Sequence, residues 1–296
     1  MNMERVLVVG ASGFIGGALL RELRKSHSDS IGASQKPNAP FIHSINYLQT
    51  NWLQSLIEES QPTAIVFLMR FAYGERSKHD FEPHFSMFKD AIYLALPLLR
   101  RLRKVIFIGS ASEFGRSDVP FVESDEARPI DAYGIQKRIE TSFFLGLREE
   151  GINSTVIRPT SVYGPGQIGQ MFTPMVLKAI SMDSGFLVRN PLAMRDFLYI
   201  DDLVEALKFV IQTEESQFEL FHLSSNFKMS MQSYACLIQQ IFRLREGFFD
   251  FKASVDKDAE SKDCLLLDSN LFRQTYGWVP KTDIENGLKT IQGNLQ

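Results

Sequence analysis

Tyr133 and Lys137 stand four residues apart in Tyr133-Gly134-Ile135-Gln136-Lys137, inside a stretch with a helical pattern. Residues at that spacing share one helix face, so a phenol and an ammonium converge there. A cation beside a phenol favours the phenolate, and the pair is then suited to exchanging a proton with a substrate hydroxyl near neutral pH. The YxxxK spacing alone also fits an ordinary surface pair; its place after a fourth or fifth βα unit gives it chemical meaning. Ser110 follows the apolar run Val105-Ile106-Phe107-Ile108-Gly109. A serine at the carboxyl end of a parallel strand lies where ligands bind in such sheets, and its hydroxyl can hydrogen-bond a reacting oxygen. Ser112 takes that role if the turn is aligned differently.

A second constellation is the loop Gly10-Ala11-Ser12-Gly13-Phe14-Ile15-Gly16, with glycines spaced GxxGxxG between an apolar strand and a helix. The first glycine permits a tight turn and the second a close approach of backbone N–H groups to a pyrophosphate. The third lets the helix pack on the strand, and the helix N-terminus favours the anion. This implies a dinucleotide. An acidic residue ending the second strand would mark NAD, but the stretch Gly32-Ala33-Ser34-Gln35-Lys36-Pro37 holds no carboxylate. Ser34 and Lys36 are suited to a 2′-phosphate, which favours NADP over NAD.

The elements that must position these groups alternate. Strand-like runs at 5–9, 30–34, 64–69, 105–109 and 154–158 are separated by helical patterns at 15–25, 52–59, 85–103 (with Pro97 as a kink) and 133–149. The rhythm predicts an α/β fold, a Rossmann-type doubly wound parallel sheet. It breaks after Gly164-Pro165-Gly166. Residues 1–165 therefore read as the dinucleotide-binding domain and 166–296 as a smaller mixed α/β substrate-binding lobe, some segments of which return to the first.

Composition narrows the class. The 296 residues are 44% hydrophobic and 23% charged, with 32 Lys plus Arg against 35 Asp plus Glu, a net charge of −3. These values exclude a disordered chain and give no basic excess for nucleic acid. Cys236 and Cys264 form no CxxC, and the five histidines have no metal-ligand spacing, so neither a disulfide framework nor a metal site is expected. The cysteine usage fits a reducing cytoplasm. No apolar run approaches the ~18 residues of a membrane span. The N-terminus reads as the first strand, not a signal peptide.

Taken together, GASGFIG at 10–16, GSASEFG at 109–115, YGIQK at 133–137, RPTSVYGPG at 158–166, RDFLYIDD at 195–202 and YGWVP at 276–280 resemble, in order and almost end to end, the extended short-chain dehydrogenases/reductases that act as nucleotide-sugar epimerases, dehydratases and ketoreductases. The resemblance implies Tyr133 as catalytic acid/base, Lys137 as its partner and ribose ligand, and Ser110 as the catalytic serine. It implies cofactor contacts from Gly10, Ser12, Gly13, Phe14, Ile15, Gly16, Ser34, Gln35, Lys36, Leu68, Met69, Arg70, Tyr133, Lys137 and Pro159. Ser112, Ser161 and Arg195 are the implied substrate contacts, with Arg195 on the diphosphate or, instead, paired with a carboxylate such as Asp196. Asp201 and Asp202 read as structural or helix-capping residues, not metal ligands, and Trp278 and Pro280 as packing residues. A homodimer built through helices 85–103 and 133–149 is a further implication.

The departures matter as much. Dehydratases of this family carry Asp-Glu after the catalytic threonine, where this chain has Ala111 and Ser112. Leu68-Met69-Arg70 replaces a common Ala-Ala pair, Ser161 the usual Asn, and Tyr47 a common adenine-contacting Asp. The expectation is reduction of a nucleotide-linked 4-keto-6-deoxyhexose at C4 by NADPH. The alternatives are an NAD-dependent 4-epimerase and, from another class, a non-catalytic dinucleotide sensor or scaffold.

Overall fold

The structure, a computed structural model, describes residues 5–26, 29–69, 77–213, 218–252 and 263–295. In chain order it opens with β1 (Val6–Val9), α1 (Phe14–Ser26), β2 (Ile31–Ser34), β3 (Ile42–Ser44), α2 (Trp52–Ser60), β4 (Ala64–Phe67), α3 (Ser77–Leu99), β5 (Lys104–Ile108), α4 (Ala132–Gly146) and β6 (Ser154–Pro159). It continues with β7 (Ser161–Tyr163), α5 (Phe172–Ser181), β8 (Phe186–Val188), β9 (Met194–Tyr199), α6 (Ile200–Gln212), β10 (Leu220–Leu223), β11 (Lys228–Ser230), α7 (Met231–Phe242), β12 (Phe249–Phe251), β13 (Cys264–Leu265), α8 (Asn270–Tyr276) and α9 (Ile284–Gly293).

The main sheet has the order β10-β6-β5-β4-β1-β2-β3, and the pairings from β3 to β6 are parallel. The chain builds outward from β1 to β3 on one side and from β4 to β6 on the other. The order therefore reverses between β1 and β4, the place where doubly wound sheets bind ligands. Every residue of β1, β4 and β5 is buried, as a sheet covered on both faces requires. β3 has no counterpart among the expected strands because it is only three residues long and His43 is partly exposed, which leaves no apolar run to see. α3 starts at Ser77, ahead of the expected 85, and holds both Pro83 and Pro97. It stops at Leu99, before the expected 103, because the Arg103 N–H already bonds the Thr63 carbonyl on the way into β5.

The chain divides into two compact units. The first comprises residues 1–113, 129–158 and 204–221; the second comprises 114–128, 159–203 and 222–296. The change of rhythm at 164–166 lies near one of these crossings. The others carry no shift in composition, because a segment that re-enters a core keeps the same apolar pattern. In the second unit β9 is central: β7 and β13 pair with it in parallel and β11 antiparallel, while β8 and β12 form a separate parallel pair. Tyr234 of α7 is buried against Phe197 of β9, with ring centroids 3.9 Å apart. Among the described residues no helix is long and apolar enough to cross a membrane.

In the first unit, aromatic packing fixes where α4 lies. Phe144 stacks on Phe107 of β5 at 4.3 Å between centroids and 7° between planes, and it also meets Phe67 and Phe88. All four rings are fully buried. Phe144→Ala is expected to destabilise the protein by about 3–5 kcal/mol, read from the midpoint of urea unfolding at unchanged slope.

Candidate active site

The site begins at the carboxyl end of β5. Ser110-Ala111-Ser112-Glu113 has the S-x-x-E pattern of a capping box, and residues 111–113 form a single 3-10 turn. The Ser112 N–H donates to Ser110 Oγ at 3.1 Å, and the Ser110 N–H donates to Glu113 Oε1 at 2.9 Å. The first bond has a chemical consequence. Ser110 Oγ is already an acceptor, so its own O–H remains to donate to another oxygen.

Glu113 itself is fully buried. Its Oε1 also accepts the Thr141 hydroxyl at 2.9 Å, and its Oε2 accepts Arg158 Nε and Nη2, each at 2.8 Å. Burial pushes the Glu113 carboxyl above the ordinary carboxylate range, opposed by the Arg158 charge and these hydrogen bonds.

α4 starts where Asp131 accepts the Gly134 N–H at 2.7 Å. A Cβ on Gly134 would overlap the Ser112 carbonyl oxygen, so only glycine lets the helix rest on the turn that carries Ser110. Tyr133 precedes it and is partly buried. One turn on, Lys137 points inward. Its Nζ donates to Glu140 Oε2 at 2.8 Å and to the Ile108 carbonyl at 3.2 Å, and it lies 4.6 Å over the Phe107 ring. Burial alone would lower the Lys137 ammonium; the charge and hydrogen bond of Glu140 act against it, and the group is held above its ordinary value. Tyr133 and Lys137 also interact electrostatically, and Ser110 lies two residues beyond the Ile108 carbonyl that Lys137 bonds.

The glycine loop sits at the reversal point of the sheet. Gly10 has φ +94°, and a Cβ on it would lie 2.9 Å from the Leu68 carbonyl group. A Cβ on Gly16 would overlap the Gly10 carbonyl. The Gly13 N–H donates to the Gly10 carbonyl, and α1 begins at Phe14. Leu68 and Met69 follow β4 and lie against this loop. Ser12 and Ser34 join through their hydroxyls, and the Lys36 N–H donates to Ser34 Oγ at 3.3 Å. Gln35 and Lys36 are exposed. A cradle closed to any Cβ, facing a helix N-terminus, fits a dinucleotide's pyrophosphate. Arg70 lies outside the described residues.

The substrate candidates are arranged differently. Ser112 lies in the capped turn of the first unit. Pro159, Ser161 and Arg195 belong to the second unit. Arg195 pairs with Asp263 at 3.0 Å and also donates to the Met194 and Asp263 carbonyls. Its partner is therefore not Asp196. Neighbours on a strand face opposite sides, and Asp196 turns the other way to accept from Thr160, Ser225 and the Phe227 N–H. Asp202 accepts the Lys281 and Thr282 N–H groups, and Trp278 is buried edge-on to Phe272. Tyr47 packs edge-on against Trp52. Among the described residues, no group of three or more His, Cys, Asp or Glu side chains could hold a metal ion.

Sequence reasoning passed over Glu113, Gly134, Glu140 and Asp263. The capping-box pattern could have flagged Glu113, and the i, i+3 spacing from Lys137 could have flagged Glu140. Gly134 is visible only as a small residue after Tyr133. Asp263, 68 residues from Arg195, leaves no local signal.

A sequence model of the NAD dependent epimerase/dehydratase family matches residues 6–222. The chain belongs to that family. Among its relatives is the dTDP-4-dehydro-6-deoxyglucose reductase of Escherichia coli, 25% identical over 97% of this chain and 96% of the relative. Two solved structures share the fold. A Thermotoga maritima UDP-glucose 4-epimerase with UDP-glucose has TM-score 0.84 and 20% identity over 98% of each chain. A Bacillus anthracis dTDP-glucose 4,6-dehydratase in complex with NAD has TM-score 0.83 and 16% identity over 99% of this chain and 96% of that one. The extended short-chain dehydrogenase/reductase resemblance and the α/β Rossmann-type fold therefore stand, and the family is one of NAD-dependent nucleotide-sugar enzymes.

The Lys137–Glu140 pair makes a pH-dependent prediction. A folded-state pKa above the unfolded value of about 10.5 stabilises the fold below that pH and loses the contribution as pH rises through the folded value. In Glu140→Gln, the charge that opposes burial most strongly is gone and Lys137 loses its proton earlier. Urea unfolding should show the variant less stable at about pH 8, with a deficit that shrinks above about pH 10. A deficit that stays flat or grows would contradict the assignment.

Proposed function

We propose that this chain reduces a nucleotide-linked 4-keto-6-deoxyhexose at C4, using NADPH. The observation that carries this reading is the composition of the turn after β5. Water elimination calls for an acid and a base beside the tyrosine, yet Ala111 and Ser112 bring neither. The one carboxylate of the 110–113 turn, Glu113, is buried and accepts from Arg158, Thr141 and the Ser110 N–H. In this reading Ser110 and Lys137 bring Tyr133 a hydroxyl and an ammonium, which suit proton transfer to a ketone oxygen. The name of the Escherichia coli relative accords with this.

In this reading Gly10, Ser12, Gly13, Phe14, Ile15 and Gly16 hold the dinucleotide, together with Ser34, Gln35, Lys36, Leu68, Met69, Arg70, Pro159, Tyr133 and Lys137. The bound cofactor supplies the hydride that C4 gains. Tyr133 donates its phenolic proton to O4 as negative charge develops there. The Lys137 ammonium stabilises the phenolate that is left. Ser110 donates its free O–H to the same oxygen, lowering the barrier as an oxyanion donor. Arg195 is the proposed diphosphate ligand, in exchange with Asp263, and Ser112 and Ser161 are further sugar-nucleotide contacts. NADP is preferred because β2 ends without a carboxylate while Lys36 is exposed. Cys236, exposed, and Cys264, buried, form no disulfide, which accords with a cytoplasmic setting.

The second reading is an NAD-dependent 4-epimerase, favoured by the likeness to the Thermotoga maritima enzyme; it uses the same Tyr133, Lys137 and Ser110. Mass spectrometry of cofactor released from purified protein separates the two. Exchangeable NADPH consumed with a 4-keto sugar nucleotide supports reduction; retained NAD without net consumption supports epimerisation. Tyr133→Phe should lower turnover by about 10²–10⁴-fold with cofactor affinity little changed. Near-parental turnover would sink the assignment. Dinucleotide binding without turnover on any sugar nucleotide of a broad panel would instead mark a sensor or scaffold.

The homodimer has support of its own. Tyr93 and Leu94 on α3 and Ile135 and Ile139 on α4 are exposed, and the Tyr93 ring meets Phe143 of α4 at 5.9 Å. Two neighbouring helices thus present apolar side chains to solvent, a feature of contact surfaces. Sedimentation should give a dimer for the parent and a monomer for Ile135→Glu/Ile139→Glu; a parental monomer would dismiss the interface.

A further inference from the structure

Glu113 and Arg158 form a charged pair with side chains 0% and 6% exposed. Such a pair is weak evidence for stability, since apolar residues of similar volume often serve as well. Its place in the fold suggests another role. The Glu113 carboxylate takes four donors from three segments: the Ser110 N–H, the Thr141 hydroxyl of α4, and two nitrogens of Arg158 on β6. Gly109 leaves room for this knot, because a Cβ there would lie 2.5 Å from Glu113 Oε1 and 3.0 Å from Thr141 Oγ1. Thr141 sits one turn beyond Lys137 on the helix that carries Tyr133. The carboxylate therefore ties the backbone of Ser110 to that helix, and the return half of the capping box, Ser112 N–H to Ser110 Oγ, leaves the serine proton to be aimed elsewhere.

We infer that Glu113 is a positioning residue: by holding the Ser110 N–H against Thr141 and Arg158, it directs the Ser110 hydroxyl as a donor to the reacting oxygen. This rests on the reading of Ser110 given above. A residue that acts through Ser110 makes the two losses in kcat non-additive while KM holds steady, as groups in one hydrogen-bond network do.

The test is a double-mutant cycle on the full-length protein with dTDP-4-keto-6-deoxyglucose and NADPH. Glu113→Met/Arg158→Met removes both charges together and keeps the volume filled. It should lower kcat about 10–100-fold while KM and NADPH affinity, read by fluorescence titration, change less than about threefold. Ser110→Ala should cost about 100-fold in the parent but less than about threefold in the charge-free background. Glu113→Gln/Arg158→Gln restores an acceptor for the Ser110 N–H and should recover most of kcat. Deuterium uptake in the 109–115 segment should rise in the Met pair and return with the Gln pair.

Equal factors for Ser110→Ala in both backgrounds overturn the positioning role and leave the catalytic reading standing. A silent Ser110→Ala in the parent overturns both. If the Met pair does not fold, Thr141→Val removes one donor to the same oxygen without exposing a charge. It should lower kcat several-fold, again at steady KM and with raised uptake at 109–115. Unchanged kcat and uptake in that variant count against the inference.

Discussion

A primary ammonium leaves water only if its charge and its N–H groups are met where it goes. Lys137 meets that condition with the Glu140 carboxylate, the Ile108 carbonyl and the face of Phe107. The carboxylate comes from its own helix; the carbonyl and the ring come from β5. Seven residues on, Phe144 stacks on the same Phe107 ring. α4 is therefore joined to β5 by charge near one end and by ring stacking two turns later. Tyr133 lies one turn before the ammonium, and Ser110 two residues after the carbonyl. The placement of Tyr133 and Ser110, the proposed proton-transfer groups, follows from where this one cation is buried.

Close approach is the complementary constraint. A buried ion pair is strong only at hydrogen-bond distance, and that distance demands backbone contact that a side chain would block. Gly134 lets α4 rest on the Ser112 carbonyl, and Gly109 clears space for Glu113. At the carboxyl end of β1, on the same edge of the sheet, Gly10 and Gly16 do the same for the loop between β1 and α1. At Gly109 the missing Cβ and the buried charge are parts of one solution, since the Glu113 carboxylate occupies the space that a side chain there would fill.

Local pattern carried much of this into view. The βα rhythm follows from period and burial, so β1, β4, β5 and β6 were readable as short apolar runs, and so was α4. The YxxxK pair and the glycine loop were readable because their spacing is itself the geometry. Three-residue β3 was not, and neither were the crossings of the two units at 113–114 and 221–222, because short or re-entrant segments have no composition of their own. Glu113 escaped notice for a different reason. It sits one residue past the positions where the family's dehydratases carry their carboxylates, and only burial against Arg158 shows that its lone pairs are already engaged. Asp263 could be paired with Arg195 only in three dimensions.

Charge balance then divides the chemical labour. In the first unit Lys137 is matched by Glu140 and Arg158 by Glu113, each within 2.8 Å. Each is matched by its carboxylate, and in the proposed reading both serve the proton-transfer groups instead of a substrate phosphate. An anionic nucleotide must find its counter-charge among more exposed cations. Arg195 in the second unit is of that kind: its side chain is 24% exposed and its carboxylate partner, Asp263, is 13% exposed. A partly solvated pair of this sort is held by far less than a buried one, which is why Arg195 is the proposed diphosphate ligand. The two kinds of ion pair are thus suited to opposite tasks: the proposed work of the buried ones is to fix direction, and that of the solvated one is to exchange partners.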